Sequence, residues 1–449
     1  MMENGLQSFG RPNAARQSAL PLDEAAGLLA SGKAAAESLL AFGNGRSYGD
    51  TCLNSHGRLV DMRPAARILA FDPETGILEA EAGVLLADII AYAAPYGFLP
   101  PVLPGTQWVT LGGAIANDIH GKNHHRRGTF GSHVEALSLL RSDGRALTCR
   151  ADANADLFRA TIGGMGMTGL ITGASIRLMR VGALDIEQKV RPFDRLDDYF
   201  ALAEAADAAN EYAVAWIDQL AAGAKAGRGL LLTGNHADSG TLRYEVRRAR
   251  LKVPFQPPLN LLNRPALKLF NAAYRAKTAR GSGRVGARGF FFPLDGVADW
   301  NRLYGPRGLH QHQSAIPTDT AREAVPALLA AARRAGQGSF LTVLKRFGDQ
   351  PSPGLMSFPR PGYTLTLDFP DLGARTLSLL AELDRITVSA GGAVNPYKHA
   401  LMTPEVFSAS FPAWRQVEAL RDPAFMSDFW RRTVTDGLAA AEPARTAAE

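Results

Sequence analysis

Apolar and polar positions alternate over the first 180 residues in a way that predicts short strands joined by helices and glycine-rich loops. A helix is predicted over 85–96, ended by Gly97, because glycine readily takes the left-handed conformation that closes helices. Asp143 and Gly144 separate two apolar runs and predict a tight hairpin. The strands predicted in this part are 38–42, 58–62, 77–82, 136–140, 145–149 and 169–179.

From about residue 184 the pattern changes to well-spaced strands and alanine-rich helices. Strands are predicted at 186–190, 213–219, 229–233, 339–346 and 363–369. Helices are predicted at 198–210 and 372–390 and through most of 404–435. We therefore predict an α+β chain with a first domain over 1–184, a second over 185–392, and a C-terminal segment, 393–449, that returns to the first domain.

Composition supports a folded two-domain protein. The chain has 449 residues, of which 46% are hydrophobic and 20% charged. Two cysteines, Cys52 and Cys149, exclude a disulfide scaffold and favour a reducing compartment. No apolar run of about 18 residues is present, and the N-terminus lacks the pattern of a secretory leader. We expect a cytoplasmic protein, peripheral at the inner membrane if it touches lipid.

The positive charge is concentrated in 243–288, which holds twelve Lys or Arg residues and one acid, Glu245, within a chain of net charge +6. No nucleic-acid reading element accompanies these residues, so a nucleic-acid partner is not expected. Apolar side chains are interspersed, and 259–276 can form an amphipathic basic helix of the kind that binds anionic lipid surfaces. The alternative is a flexible basic insertion.

The first candidate site is the loop 43–50, which follows an apolar strand. Its glycines allow a tight turn that points several backbone N–H groups at one place, a geometry that binds phosphate oxygens. Arg46 and Ser47 can add donors. The loop lacks the Gly-Lys-Ser/Thr ending of a Walker motif and is not a regular Rossmann fingerprint. By itself it is equally compatible with a surface loop.

The second candidate site is 103–125, where Gly112 and Gly113 let the backbone pass close to a flat ligand. Three histidines follow, His120, His124 and His125, and they leave a zinc site or a solvated loop as alternatives. No acid or cysteine completes a familiar zinc spacing, so no metal is predicted. A third glycine cluster, 163–169, precedes a strand.

Together these three segments resemble the FAD-binding fold of the vanillyl-alcohol oxidase and aldonolactone oxidase type, known as the PCMH type. The resemblance implies a FAD-binding domain of two α/β subdomains and a substrate domain built on a large antiparallel sheet flanked by helices. It implies FAD contacts for these residues: Asn44, Gly45, Arg46, Ser47, Tyr48, Gly49, Asp50, Gly105, Thr110, Leu111, Gly112, Gly113, Asn117, Asp118, Ile119, His120, Ile171 and Asn395. Relatives with covalent FAD carry a histidine where this chain has Tyr48, so non-covalent FAD is expected.

The resemblance also implies a substrate site. Its residues are Lys122, Trp216, Gln311, Gln313, Val343, Lys345, Thr366 and Lys398. Gln311 and Gln313 are two apart and face one side if they lie on a strand. Lys345 and Lys398 suit an anionic phosphate or a polarised hydroxyl. Lys398 is the first candidate for catalysis or substrate anchoring, followed by His120 and Tyr48.

The branch of the family that the motifs resemble implies oxidation of the 2′-hydroxyl of a polyprenylphosphoryl-β-D-ribose to a keto-sugar. A separate NAD-dependent keto-reductase would complete the epimerisation, which supplies an arabinose donor for cell-wall polymers. The alternative within the fold is an alditol or aldonolactone oxidase that uses oxygen. Other classes are a binding module without catalysis and a metal hydrolase. Thr366 replaces a family cysteine, and Asn395 and His399 replace a tyrosine and an aspartate.

Overall fold

A computed structural model describes residues 6–11 and 16–439. Up to Arg180 the chain forms ten strands and five α-helices. The strands are β1 (Ser18–Leu20), β2 (Leu39–Phe42), β3 (Arg58–Asp61), β4 (Ile68–Asp72), β5 (Ile77–Glu81), β6 (Phe98–Leu99), β7 (Val134–Leu140), β8 (Ala146–Cys149), β9 (Leu170–Arg177) and β10 (Met179–Arg180). The helices are α1 (Leu22–Ala30), α2 (Leu86–Ala93), α3 (Leu111–Ala116), α4 (His124–Arg127) and α5 (Ala155–Thr161).

Two sheets organise this part. One is parallel, in the order β1-β3-β2, and the other is antiparallel, in the order β4-β5-β9-β7-β8. The predicted hairpin is confirmed, and Gly144 has a φ of 85°, as its tight turn requires. The helix predicted over 85–96 is also confirmed as α2 with a 3₁₀ turn, and Gly97 closes it at φ 78°.

The rest of the described chain forms ten more strands and eight α-helices, of which the last three lie in the C-terminal segment. The strands are β11 (Ile186–Phe193), β12 (Tyr212–Ile217), β13 (Gly229–His236), β14 (Leu251–Lys252), β15 (Gly283–Val285), β16 (Val297–Ala298), β17 (Leu309–Ile316), β18 (Val343–Phe347), β19 (Gly362–Pro370) and β20 (Ala393–Val394). The helices are α6 (Leu196–Ala209), α7 (Arg264–Thr278), α8 (Ala287–Phe291), α9 (Thr318–Arg334), α10 (Ala374–Ser389), α11 (Pro404–Ser410), α12 (Trp414–Leu420) and α13 (Asp428–Trp430), followed by a π-helical turn, Arg431–Ala439.

Eight of these strands form one antiparallel sheet, in the order β15-β11-β13-β12-β18-β19-β17-β20. Helices α6, α9 and α10 pack on one face, where their apolar side chains share a core with the strands. Because successive side chains of a strand point to opposite faces, β17 sends Gln311 and Gln313 away from these helices and His312 toward α10. The predicted α+β architecture with a large antiparallel sheet is confirmed.

Several sequence predictions need correction. The basic segment 243–288 contains β14, α7, β15 and the start of α8, and β15 extends the large sheet. The amphipathic helix begins at Arg264, capped by the Asn263 side chain, and not at 259. The strand predicted over 339–346 begins at Val343, and 404–435 is divided among several short helical elements. The alanine-rich tail lies outside the described residues.

The C-terminal segment contacts both parts of the molecule. β20 pairs with β17 in the large sheet, whereas Phe425 bridges Leu39 of β2 and the Asp428 carboxylate accepts from Ser55. The division at 393 therefore stays a proposal. Within the described residues, every helix is too short or too polar to cross a bilayer.

Candidate active site

The glycine-rich segments and the large sheet enclose a cavity of about 1320 Å³. This exceeds the size of most small-molecule pockets and leaves room for both a dinucleotide and a second ligand. Most residues predicted for cofactor or substrate line it. They are Asn44, Gly45, Arg46, Ser47, Tyr48, Gly105, Thr110, Gly112, Gly113, Asn117, Asp118, Ile119, His120, Lys122, Ile171, Trp216, Gln311, Gln313, Val343, Lys345, Thr366, Asn395 and Lys398.

Three predicted cofactor residues do not line the cavity. Gly49 packs against the backbone of Ala400. Asp50 is buried and paired with Arg432 at 3.1 Å. Leu111 is fully buried in the apolar core, and its N–H donates to the Val84 carbonyl. Their roles in the structure are packing and ion pairing within the protein.

The first loop approaches its neighbours so closely that side chains are excluded. A Cβ on Gly43 would lie 2.4 Å from the Thr110 hydroxyl, and one on Gly45 would lie 2.3 Å from the Gln7 carbonyl. Gly45 also has a φ of 58°, in the left-handed region that favours glycine. The Asn44 side chain donates to the Trp108 carbonyl at 2.8 Å and ties the two glycine-rich segments together.

Several buried polar atoms around this loop are placed to bind a ligand. Ser8 Oγ, Arg46 Nε and Thr51 Oγ1 are buried, line the cavity and have no hydrogen-bond partner within the described part of the chain. A buried donor without a partner costs free energy, so a ligand rich in acceptors is expected to satisfy these atoms. The phosphate and ribityl oxygens of FAD fit this requirement.

Asp118 holds the second segment in shape. Its carboxylate accepts from Gly131 N–H at 2.8 Å and from the hydroxyls of Ser352 and Ser357. Burial raises the pKa of Asp118, although these donors oppose the shift. Because its oxygens are taken by the protein, Asp118 contributes to the cavity wall chiefly as scaffold.

The histidines of the second segment diverge. His120 faces the cavity, the His124 ring packs against Phe347 with 4.7 Å between ring centroids, and His125 contacts the Asn210 carbonyl at 3.0 Å. Among the residues that the structure describes, no group of three metal-ligating side chains is assembled. Their placement offers no support for the zinc alternative.

Lys398 is the side chain most clearly directed at a ligand. Its Nζ lies 4.2 Å from the centroid of the Tyr48 ring, and the structure shows no hydrogen bond or ion pair between Nζ and any described residue. Burial lowers the pKa of Lys398 to about 8, although the charge of Asp368 opposes the shift. At pH 7 it is therefore mostly a cation that faces the cavity. Burial also raises the pKa of Tyr48, which stays a phenol.

A chain of side-chain contacts crosses the cavity floor. Asn395 Nδ2 donates to Gln313 Oε1 at 2.9 Å, and Gln313 Nε2 donates to Thr364 Oγ1 at 3.0 Å. Gln313 Nε2 also lies 3.0 Å from His120 Nε2, and Lys345 Nζ lies 3.1 Å from His120 Nδ1. The Gln313 amide hydrogens are therefore engaged by Thr364 and His120, and its predicted contact with a sugar stays a prediction.

The loop that carries Lys398 is fixed on both sides of the sheet. On the cavity side, Asn395 bonds to Gln313. On the helix side, the Asp384 carboxylate of α10 lies 3.1 Å from both His399 Nε2 and His312 Nε2. His399 Nδ1 accepts from Leu401 N–H, so its hydrogen is on Nε2 and faces Asp384. Lys398 thus lies between two anchors of its loop.

Sequence reasoning missed two acids near the site. Asp368 accepts from Gln311 Nε2 at 2.5 Å and from the Tyr304 hydroxyl at 3.3 Å, and burial raises its pKa to about 7. Asp295 lines the cavity and accepts from Gln107 N–H at 2.9 Å. Asp368 lies between Leu367 and Phe369 in the buried strand β19, and an acid flanked by two apolar residues in a strand was the available signal. No comparable signal marked Asp295.

Comparison with known proteins agrees with this geometry. The family described as FAD binding domain matches residues 22–150, which contain both glycine-rich segments that line the cavity. Together with the fold, this match defines a PCMH-type FAD-binding flavoprotein.

Similarity to individual proteins identifies the family within this class. The chain is 35% identical over 411 residues to decaprenylphosphoryl-beta-D-ribose oxidase of Mycolicibacterium smegmatis, an alignment that covers 88% of each chain. It is 35% identical over 366 residues to an uncharacterised protein in the mprA 5′ region of Streptomyces coelicolor, covering 75% of this chain and 96% of that protein. Mouse L-gulonolactone oxidase is 30% identical over 135 residues, 30% of each chain. The protein belongs to the decaprenylphosphoryl-β-D-ribose oxidase family and is an FAD-dependent oxidoreductase acting on CH–OH groups.

Proposed function

We propose that this enzyme oxidises the 2′-hydroxyl of a polyprenylphosphoryl-β-D-ribose to a keto-sugar. The observation that carries the proposal is the 35% identity over 88% of both chains to an oxidase named for that class of substrate. The cavity agrees, because it offers the unpaired Lys398 cation to an anionic ligand and has room for FAD and a sugar together.

Different residues of the chain bind the cofactor and the substrate. When bound, FAD supplies the acceptor for the hydride that leaves the carbinol carbon. Arg46, Ser8 and Thr51 offer the donors that would hold its polar atoms. Lys398 anchors the anionic part of the substrate by its charge. Trp216 and Val343 contribute apolar surface to the cavity wall. Tyr48, beneath Lys398, fixes the position of the ammonium.

The decisive experiment is reduction of the bound flavin under nitrogen by decaprenylphosphoryl-β-D-ribose. We expect the visible flavin absorption to bleach in a single turnover and a 2′-keto product to appear by mass spectrometry. The arabinose epimer, in which the 2′ hydrogen has the opposite configuration, serves as the matched control. Equal bleaching by a simple pentitol and none by the lipid-linked ribose would reject the proposal.

An aldonolactone or alditol oxidase is the second candidate, favoured by the match to mouse L-gulonolactone oxidase. That match covers 30% of this chain, whereas the alignment with the ribose oxidase covers 88%. Steady peroxide formation from an aldonolactone in air would select this candidate.

We infer that FAD is held without a covalent bond. Tyr48 stands where covalent relatives carry a histidine, and burial raises the pKa of the cavity-lining Cys52 thiol to about 12, which keeps it unreactive. We predict that acid precipitation leaves a colourless pellet and releases all the yellow colour to the supernatant. A pellet that stays fluorescent in a denaturing gel would contradict this.

We infer further that a surface beside the cavity rests on anionic lipid. Leu269 is 75% exposed and Phe255 is 66% exposed. They lie in the basic segment 243–288, and Tyr274 and Thr278 of α7 line the cavity. An apolar surface surrounded by Lys and Arg has the chemistry of a bilayer contact. This position would also let a polyprenyl chain remain in the membrane during turnover.

The membrane contact predicts flotation of the protein with vesicles that contain phosphatidylglycerol, but not with phosphatidylcholine alone. Raising the salt concentration should weaken the binding, because exposed charges are screened. Leu269→Asp should reduce flotation several-fold, whereas Leu69→Asp, at an exposed leucine of β4, should not. Equal binding by both variants would contradict the assignment of this surface.

The keto product would require a separate reductase, which we expect to be NAD-dependent. Its presence can be checked by adding cell extract and NADH to the oxidised product and following formation of the arabinose epimer. Persistence of the keto-sugar would argue against a two-enzyme epimerisation.

A further inference from the structure

The contacts on the cavity floor decide where hydrogens lie on His120. Tyr397 N–H donates to Asn395 Oδ1 at 3.0 Å, which leaves Asn395 Nδ2 to donate to Gln313 Oε1. The Gln313 amide is thereby oriented with Nε2 toward His120. Each step is fixed, because a backbone N–H can only donate and each side-chain amide has one donor and one acceptor end.

His120 must therefore accept from Gln313 at Nε2. Burial lowers the pKa of His120 well below its usual value, and the charge of Lys398 adds to the shift, so the ring is neutral. A neutral imidazole carries one hydrogen. That hydrogen is on Nδ1 and faces Lys345 Nζ at 3.1 Å. If Lys345 were an ammonium, which has only donors, its N–H would face the N–H of His120 with no acceptor between them.

We propose that Lys345 works as an uncharged amine that accepts from His120, donates to the Gly121 carbonyl and offers one N–H to a sugar oxygen. It is a specificity-determining group for a neutral hydroxyl, while Lys398 alone serves the anionic part of the substrate. This rests on the proposed function and reverses the usual view that a lysine in such a cavity supplies positive charge.

The electrostatic surroundings agree. Burial lowers the pKa of Lys345 to about 7, and the charges of Lys122 and Lys398 contribute. Its contact with the Gly121 carbonyl, at 3.2 Å, suits an amine as well as an ammonium. His124, on the neighbouring turn, stays neutral because burial lowers its pKa to about 3.

The proposal predicts that Lys345→Gln, which removes the charge, retains more activity than Lys345→Arg, which keeps it. Glutamine can accept from His120 through its carbonyl and donate to Gly121 and the sugar through its amide. Lys345→Gln should therefore keep the rate of flavin reduction by the lipid-linked ribose within about 10-fold. Lys345→Arg, a permanent cation, should lower it by about 100-fold or more, on the order of a lost catalytic interaction. Retention by Lys345→Arg with loss in Lys345→Gln would overturn the proposal.

A pH profile gives a second readout. Since the pKa of Lys345 is lowered to about 7, the amine is populated above that pH and is lost as the pH falls through it. His120 and His124 stay neutral there, and Lys122 and Lys398 stay mostly protonated, with pKa values of about 8. Asp368, whose pKa burial raises to about 7, titrates in wild type and variant alike. We predict that kcat/KM of wild type falls more steeply below pH 7 than that of Lys345→Gln. An equal fall in the two proteins would contradict the proposal.

Charge state can also be measured without substrate. Trace acetylation of the FAD-bound protein at several pH values, read by peptide mass spectrometry, reports the fraction of each lysine present as free amine. We expect Lys345 to reach half-maximal reactivity near pH 7, well below the pH at which an unperturbed lysine becomes a free amine. Half-maximal acetylation of Lys345 only at about pH 10, as for an unperturbed lysine, would overturn the proposal. This test stands even if the lipid-linked ribose proves not to be the substrate.

Discussion

Lys398→Met is expected to retain FAD and to reduce it with substrate about 10²- to 10⁴-fold more slowly than wild type. Methionine keeps the aliphatic bulk but removes the charge above the Tyr48 ring. The loss should be large because Nζ makes no hydrogen bond or ion pair with any described residue, so the substrate is the partner that this buried charge lacks. Single-turnover bleaching of the flavin by stopped flow measures the effect.

Two matched variants separate charge from folding. Lys398→Arg keeps the charge but changes its geometry, and it should recover part of the rate. Lys225→Ala removes an exposed lysine outside the cavity and should leave the rate unchanged. Near wild-type flavin reduction by Lys398→Met would remove Lys398 from the mechanism, whatever happens to the steady-state KM.

The glycine-rich segments were predictable from sequence because their chemistry is local. A turn such as that at Gly45 needs a left-handed residue, and glycine is the residue that adopts it without strain. The resemblance to PCMH-type proteins then identified the ligand, and the cavity contains most of the predicted residues. Leu111, Gly49 and Asp50 failed to reach the cavity because adjacent positions on a turn or helix point to different sides.

Helix α9 is not among the helices predicted from the sequence. Pro326 lies inside it and argues against a helix, since proline removes a backbone hydrogen bond. Its buried side chains nevertheless repeat at helical spacing, at Ala321, Val325, Leu328 and Leu329. Packing on the large sheet stabilises the helix more than the proline disfavours it. A single proline is thus a poor guide to the secondary structure of a segment that is stabilised by its tertiary contacts.

The charge state of the site was beyond sequence reasoning. Lys345 and Lys398 are the same residue type, and from sequence both suited an anionic phosphate or a polarised hydroxyl. They differ because Lys345 meets a histidine whose hydrogen is fixed by Asn395 and Gln313, whereas Lys398 lies over an aromatic ring. Those contacts join positions separated by as many as 225 residues in the chain. Such long-range pairing leaves no periodic trace in the sequence.

Gly45→Val is expected to yield a folded protein that purifies without yellow colour. A Cβ at this position would lie 2.3 Å from the Gln7 carbonyl, and the backbone φ of 58° disfavours a β-branched residue. The left-handed conformation alone costs roughly 1–2 kcal/mol. The loop is therefore expected to move, and Arg46 and Ser47 next to it would leave their positions at the cavity wall. FAD content, measured from the absorbance ratio at 450 and 280 nm, should fall at least about 10-fold.

Gly27→Ala is the matched control, because a Cβ there has no atom within 4 Å and Gly27, in α1, does not line the cavity. It should keep full FAD content. Circular dichroism and thermal unfolding, with and without added FAD, distinguish loss of the cofactor site from loss of the fold. Added FAD should raise the unfolding temperature of wild-type protein increasingly as its concentration exceeds Kd, and it should not do so for Gly45→Val. A yellow Gly45→Val protein with wild-type FAD content would show that the first loop does not hold the cofactor, and the phosphate-binding role of 43–50 would then have to be abandoned.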